Sequence, residues 1–350
     1  MITPELIVSL LLIICVAWIL GTLFTRFGLP AMLGELLAGV ILGPPLLGLV
    51  SPSAPLELLA ELGIFFVMFH TGMEMDPKEL LEHIWPSLGV ALGGFILPFV
   101  LGALTTHAFG GNLYQSLFVG MGVSITAIAV QAVILHSMKI NQSFLGHIII
   151  GAAIADDILA LMTLSTLLGL AKTGTIQFVN LSIILLKVIA FFGVTILIGE
   201  FIVPRLTRHL TDKGGRAFTF DMVAALLMAF FAELAGLHLI IGAFLAGQFV
   251  RKEILDERVY EVINDRFFGI SYGFLLPIFF VSLSFHLHFS WTWPFISFAL
   301  VLTLVAILGK LIGCGVGAAA FGHKFWESTI IGLGMNGRGA VELVAARLVH

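Results

Sequence analysis

The sequence is poor in charge. Only 11% of its 350 residues are Asp, Glu, Lys or Arg, whereas soluble proteins contain about 25%. This scarcity, with a mean hydropathy of +1.11, excludes one large soluble core and implies that most of the outer surface faces lipid. The net charge of -4 is small and scattered along the chain, so nucleic acid is not expected as a partner.

Cysteine is scarce as well. Cys15 and Cys314 each lie within an apolar run and are expected to be small core residues rather than a disulfide or a metal pair. The N-terminus lacks the basic segment of a cleaved signal, so the first apolar run is expected to be retained as a helix. No nucleophile–base pair or metal-ligand set occurs at catalytic spacing, and therefore an enzyme is not expected.

Long apolar runs occupy nearly the whole chain. A helix needs roughly 20 apolar residues to cross a membrane, and breaks at Pro, Gly and charged clusters delimit twelve candidate spans. The spans lie at 5–25, 30–49, 55–74, 84–107, 113–137, 143–171, 176–203, 217–236, 238–250, 262–288, 291–320 and 325–348. The sequence therefore predicts an all-α polytopic membrane protein.

The basic residues predict the orientation of these spans. If loops are assigned alternately to two sides, one side has only Lys172 and Arg347. The other side has Arg26, Lys78, Lys139, Arg205, Arg208, Lys213, Arg216, Arg251, Lys252, Arg258, Arg266 and Lys324. Because Lys and Arg accumulate in cytoplasmic loops, the side with the larger set is expected to face the cytoplasm. The protein is then expected in the cell (inner) membrane with its N-terminus outside.

Two spans are predicted to be discontinuous. The fifth contains Gly120-Met-Gly-Val-Ser-Ile-Thr126, and the twelfth contains Gly332-Leu-Gly-Met-Asn-Gly-Arg-Gly339. Unwound backbone at membrane depth is tolerated where protein encloses it, and paired broken helices mark the central site of many transporters. The fifth and twelfth spans are seven apart in order, which fits six-helix repeats at spans 1–6 and 8–13 with a thirteenth span expected beyond His350.

The pair Asp156-Asp157 lies in the middle of the apolar sixth span. Each charge there costs roughly 2.5–3.5 kcal/mol on insertion scales and needs a compensating cation, proton or basic residue. Neighbours on a helix point about 100° apart, so the two carboxylates can address different partners. The pair predicts a site that accepts either a proton or a metal cation; the alternative is a structural ion pair.

Other polar residues of the spans are candidate partners. Lys310 lies in an apolar run in which Gly309, Gly313 and Gly317 permit close helix approach, and it is a plausible partner for the carboxylates. Thr126 and Ser124 are candidate oxygen ligands for Na⁺.

A further charged group lies at the end of the chain. Arg338 can pair with Glu342, four residues later, or with Glu74, and in either case it is expected to hold the unwound segment.

These features together resemble a known family. The Asp-Asp pair, Lys310 and the two broken spans resemble bacterial Na⁺/H⁺ antiporters of the NapA/NhaA type. The stretches Gly34–Pro44, Leu62–Glu74 and Leu276–Val281 are similar to the cation:proton antiporter branch that includes the Kef potassium exchangers. The resemblance implies a thirteen-helix inverted repeat with two crossed discontinuous helices, of which twelve spans are seen here.

The resemblance also implies an oligomeric state and a role for each group of helices. A homodimer with elevator-type alternating access is expected. Scaffold and dimerisation helices are expected at 1–75 and 216–288, core transport helices at 76–172 and 289–350, and a linker helix at 173–215. Asp157 would carry the cation or proton, Asp156 would pair with Lys310 when the cation is absent, and Thr126 would line the site.

The expected function is electrogenic exchange of Na⁺ or Li⁺ for H⁺, with no cofactor beyond the transported ions. A K⁺/H⁺ exchanger on the same fold remains an alternative, because two carboxylates do not reveal the size of the cation. A gated channel or an organic-solute symporter on a similar scaffold is the third possibility.

Overall fold

Every regular element in the described part of the chain is a helix. The structure is a computed structural model that describes residues 4–173, 178–203, 205, 216–250, 257–285 and 292–337. The helices are α1 Pro4–Arg26, α2 Ala31–Leu42, α3 Ala54–Glu74, α4 Pro77–Glu82, α5 Ile84–Ala108, α6 Leu113–Ser124, α7 Ile128–Ser137, α8 Phe144–Thr173, α9 Phe178–Leu197, α10 Arg216–Ala235, α11 Leu239–Gly247, α12 Glu257–Ile270, α13 Leu276–Ser284, α14 Trp293–Ala320 and α15 Phe325–Gly334. Within these residues the all-α prediction is confirmed.

Nine stretches of the described residues are long and apolar enough to cross a membrane. They are Pro4–Arg26, Ala54–Glu74, Ile84–Ala108, Leu113–Ser137, Phe144–Ala171, Val179–Leu197, Phe218–Ala235, Tyr260–Ser284 and Trp293–Ala320. Each overlaps one of the twelve predicted spans. The multi-pass architecture is therefore confirmed, whereas the count of twelve is not.

The three remaining predicted spans contain shorter helices. The second, 30–49, holds only α2, because Gly43-Pro44-Pro45 follows its last residue and proline cannot continue a helix. The ninth, 238–250, holds the nine residues of α11. The twelfth, 325–348, holds α15, and the part beyond residue 337 lies outside the described residues.

The helices form two compact units. The first comprises Met1–Met73, Thr207–Leu226 and Ala243–Phe289, and the second comprises Glu74–Leu206, Leu227–Gly242 and Ser290–His350. A buried cluster in the first unit joins side chains of α1, α2, α3 and α13, among them Ile13, Ala38, Leu56 and Val281. All residues of the candidate site that the structure describes belong to the second unit.

Glycines bring α5 and α14 close together in the second unit. A Cβ added to Gly313 or Gly317 would overlap the carbonyl oxygen of Gly93 or Gly89, respectively. A Cβ on Gly309 would lie 3.1 Å from Cα of a proline in α5. The predicted close helix approach is thus confirmed, and Lys310, in the same stretch of α14, is 1% exposed.

The predicted interruption of the fifth span is present. Helix α6 ends at Ser124, Ile125 and Ala127 have extended backbone, and α7 begins at Ile128. The glycines before the break are helical and serve packing instead, since a Cβ on Gly120 would lie 2.5 Å from the Phe99 carbonyl oxygen. The break therefore falls at hydroxyl-bearing and β-branched residues.

Candidate functional site

A buried ion pair joins α8 to α14. The Lys310 Nζ atom donates to Asp156 Oδ2 at 3.1 Å, and the two side chains are 1% and 0% exposed. A buried pair of this kind is weak support for stability, but breaking it strands a charge and costs about 3–5 kcal/mol. The structure thus brings together two residues that are 154 positions apart and that the sequence predicted as partners.

Lys310 also holds the break in the fifth span. Its ammonium group donates a second hydrogen bond to the backbone carbonyl of Ser124, the last residue of α6. That carbonyl stands at a helix C-terminus, where the last turn leaves acceptors without intrahelical partners. One ammonium group therefore links the Asp-Asp helix, α14 and the unwound segment.

Asp157 has a different environment from its neighbour. Its side chain is partly exposed, and within the described part of the chain it makes no hydrogen bond or ion pair. It lies within electrostatic range of both Asp156 and Lys310. Since adjacent helix residues point about 100° apart, Asp156 can satisfy Lys310 while Asp157 stays available to a proton or cation.

Two buried oxygens near the break have no donor among the described residues. They are Thr126 Oγ1, in a side chain that is 1% exposed, and Asp156 Oδ1. A buried polar atom without a partner costs about 1–3 kcal/mol. Hydroxyl and carboxylate oxygens are the ligand types that hard cations take, and the role of these two side chains in binding Na⁺ stays a prediction.

Ser124 contributes its backbone carbonyl to the site, because its hydroxyl proton is already used in a hydrogen bond. Its Oγ atom donates to the Met121 carbonyl at 2.7 Å, a bond within its own helix. The hydroxyl oxygen keeps lone pairs that can accept a cation. The predicted role of the Ser124 side chain as a ligand therefore stays a prediction, and its carbonyl is the group already in use.

Glu74 is held by two groups at the far end of α7. Its Oε2 atom accepts from Asn141 Nδ2 at 2.7 Å and from His136 Nδ1 at 3.0 Å. Arg338, the predicted partner of Glu74, lies outside the described residues, as does Glu342, the alternative partner of Arg338. The structure thus gives Glu74 a role in anchoring the half-helix that follows the break, without deciding between the two predicted pairings of Arg338.

The residues after α15, where the second break is predicted, contact the first break. Helix α15 ends at Gly334, and the backbone then turns through Met335 to Gly337, the last described residue. The Gly337 carbonyl accepts from the Ala127 N–H at 3.1 Å and from Gln131 Nε2 at 3.4 Å. Ala127 is the N-cap of α7, so this carbonyl satisfies a donor at the start of a helix.

Sequence reasoning missed two parts of this arrangement. A backbone acceptor such as the Ser124 carbonyl carries no sequence signal, because every residue has one. Gln131 does carry a signal: it is a polar residue in an otherwise apolar run that directly follows a predicted break.

Known proteins resemble the chain over nearly its whole length. A family model described as the transmembrane sodium/hydrogen exchanger matches residues 10–350. The Na(+)/H(+)-K(+) antiporter GerN of Bacillus cereus is 35% identical over 346 residues, which cover 98% of this chain and 87% of GerN. A Na(+)/H(+) antiporter of Enterococcus hirae is 32% identical over 345 residues, which cover 97% of this chain and 89% of that protein.

Solved structures show the same fold. A structure of the sodium proton antiporter MjNhaP1 of Methanocaldococcus jannaschii at pH 8 matches with a TM-score of 0.66, and an electron-microscopy map of MjNhaP1 matches with 0.75. The sequence identities are 18% and 16%, and the matches cover 99% and 100% of this chain and 86% and 85% of MjNhaP1. The chain therefore belongs to the sodium/hydrogen exchanger family of monovalent cation:proton antiporters.

Proposed function

We propose that the chain exchanges Na⁺ for protons at Asp157, and that Asp156 and Lys310 switch between a paired and an unpaired state during the cycle. The observation that carries this proposal is the buried Asp156–Lys310 pair beside a carboxylate that forms no bond in the described part of the chain. A cation that enters between the carboxylates competes with the proton for Asp157 and with the Lys310 ammonium group for Asp156.

The proposed cycle is electrogenic, because Lys310 releases its proton when Na⁺ displaces it from Asp156. Without a cation, the site holds a protonated Asp157, an ionised Asp156 and a charged Lys310. With Na⁺ bound, both carboxylates are ionised, and the displaced Lys310, left in an apolar surrounding, gives up its proton. Two protons then move for one cation, and each cycle transfers one net charge.

The unwound segment supplies the remaining ligands of the proposed site. Thr126 Oγ1 is buried and has no donor among the described residues, and the backbone around it is extended and so exposes carbonyl groups. Hydroxyl and carbonyl oxygens complement carboxylates around a hard cation.

The architecture around the site belongs to the same proposal. Residues 76–172 and 289–350 would form the moving core, with crossed discontinuous helices, and residues 1–75 and 216–288 the scaffold of a homodimer, with 173–215 as linker. The excess of Lys and Arg on one side supports a cell-membrane protein with its N-terminus outside.

K⁺ is the second candidate cation. Its support is GerN, which is named as a Na(+)/H(+)-K(+) antiporter and shares 35% identity with the chain. Carboxylates and hydroxyls bind either ion, so the selectivity depends on the size of the site rather than on its donor types.

Reconstitution in liposomes with an internal pH dye tests the proposed exchange. Gradients of Na⁺, Li⁺ and K⁺ are imposed on the wild type, on Asp157→Asn and on Asp221→Asn. Asp221 is the matched control, because it is a fully buried aspartate in another apolar helix. Proton movement with Na⁺ and Li⁺ that is lost only in Asp157→Asn supports the proposal. A response to K⁺ alone would assign the chain to K⁺/H⁺ exchange, and the absence of any cation-dependent proton movement would refute both.

A further inference from the structure

Gln131 connects the break in the fifth span to the residues that follow α15. Its side chain is 0% exposed and lies on α7, one turn beyond the break at Ile125–Ala127. The Nε2 atom lies 3.4 Å from the Gly337 carbonyl oxygen, across 206 positions of sequence. A carbonyl can only accept, so the amide nitrogen must face it, and this orientation leaves the buried Oε1 atom without a donor among the described residues.

The amide of Gln131 also packs tightly against Gly337. A Cβ added at position 337 would lie 2.5 Å from Nε2 and 2.9 Å from Cδ. An alanine at position 337 would therefore displace this amide, and the contact does not depend on the one long hydrogen bond alone. Both the polar bond and the shape of the contact place the backbone that follows α15 against α7.

The unwound segment is thereby held at both of its ends. At Ser124 the carbonyl accepts from Lys310, and at Ala127 the N–H donates to the Gly337 carbonyl that Gln131 also contacts. Thr126 lies between these two points. Any change in the position of the Gly337 carbonyl moves one end of the segment that carries the Thr126 hydroxyl.

We propose that Gln131 is a positioning residue for cation binding: it fixes the Gly337 carbonyl against Ala127 and so sets the geometry of the Thr126 segment. This inference rests on the proposed exchange function. Gln131 acts through the backbone and takes no part in proton transfer. Its loss is therefore expected to weaken the apparent affinity for the cation more than the maximal rate.

The first test compares Gln131→Leu with Gln248→Leu. Gln248 is the matched control, because it is a buried glutamine in the other unit. In proteoliposomes with Na⁺ gradients, Gln131→Leu should raise the KM for Na⁺ about two- to tenfold, the effect of losing one hydrogen bond, with the maximal rate little changed. The Li⁺-to-Na⁺ preference should also change, since the size of the site changes. A KM and an ion preference equal to those of Gln248→Leu would overturn the inference.

Hydrogen exchange gives a second readout that does not require transport. The amide of Ala127 should exchange about two- to tenfold faster in Gln131→Leu than in wild type, because its acceptor is no longer fixed. Gly337→Ala should have the same effect by displacing the amide, whereas Gly315→Ala, with ordinary contacts, should not. Unchanged exchange at Ala127 in both Gln131→Leu and Gly337→Ala would overturn the inference. A wild type that moves no protons in response to cations would refute the exchange function, and the hydrogen-exchange result would still decide the role of Gln131.

Discussion

Asp156 and Lys310 neutralise each other where neither side chain is more than 1% exposed. Removal of one partner of such a pair strands a charge, so Lys310→Gln and Asp156→Asn should each lower the free energy of unfolding by about 3–5 kcal/mol. The double variant leaves no unpaired charge and should lose less than the sum of the two single losses. Thermal unfolding of the purified proteins in detergent measures these differences.

Lys187→Gln is the control for this cycle, because Lys187 is exposed on α9. Its stability should match that of the wild type. If the losses of Lys310→Gln and Asp156→Asn were strictly additive, the two side chains would not interact, and the pairing would be refuted.

At the scale of residues, the charges of the site could be predicted and its neutral groups could not. Asp156, Asp157 and Lys310 stand out because a charge in an apolar run requires compensation. The acceptor of Lys310 at Ser124 is a backbone carbonyl, and such groups differ only by their position in the fold. Gln131 finds its partner 206 residues away, a distance that no local pattern reveals.

The contact between α5 and α14 is the element-scale feature on which the site depends. A Cβ at position 313 would overlap the Gly93 carbonyl oxygen, so Gly313→Ala should force the helices apart and lower stability by about 1–3 kcal/mol. Because Lys310 lies one turn away, its contact with Asp156 should lengthen and exchange activity should fall. Thermal unfolding and proton movement in liposomes measure the two effects.

Gly315→Ala is the matched control on the same helix. A Cβ at position 315 would lie 3.5 Å from the Ser328 carbonyl oxygen, an ordinary contact. Alanine is also a better helix former than glycine by about 1 kcal/mol, so this variant should be at least as stable as the wild type. If the two variants behaved alike, close approach of α5 and α14 would not be required.

Elements with strong local signals could be predicted, and those set by tertiary contacts could not. Glycines and hydroxyls in the stretch 120–126 predict a break, yet the glycines are helical and the break follows Ser124. Helix α2 is shorter than the predicted span. Apolar residues continue beyond Gly43-Pro44-Pro45 and lengthen the predicted span, whereas the prolines end the helix. Hydrophobicity alone therefore predicts where the apolar runs lie more accurately than where the helices within them begin and end.

At the scale of the whole molecule, the proposed charge count predicts that exchange responds to voltage. In proteoliposomes with an imposed diffusion potential, the wild-type rate should change with the sign of the potential. In Lys310→Gln the second proton carrier is absent, so one proton should move per cation and the response to voltage should disappear. A wild-type rate that is independent of voltage would refute the two-proton count.

Competition between protons and Na⁺ for one site is the central claim, and the pH dependence of Na⁺ affinity in the purified protein tests it most directly. Protons displace the cation, so the apparent affinity should fall as the pH falls, by up to about tenfold per pH unit for each competing proton. Asp157→Asn should remove most of the Na⁺ binding, whereas Asp221→Asn should keep the wild-type curve. A Na⁺ affinity that stays constant as the pH changes would contradict a shared site.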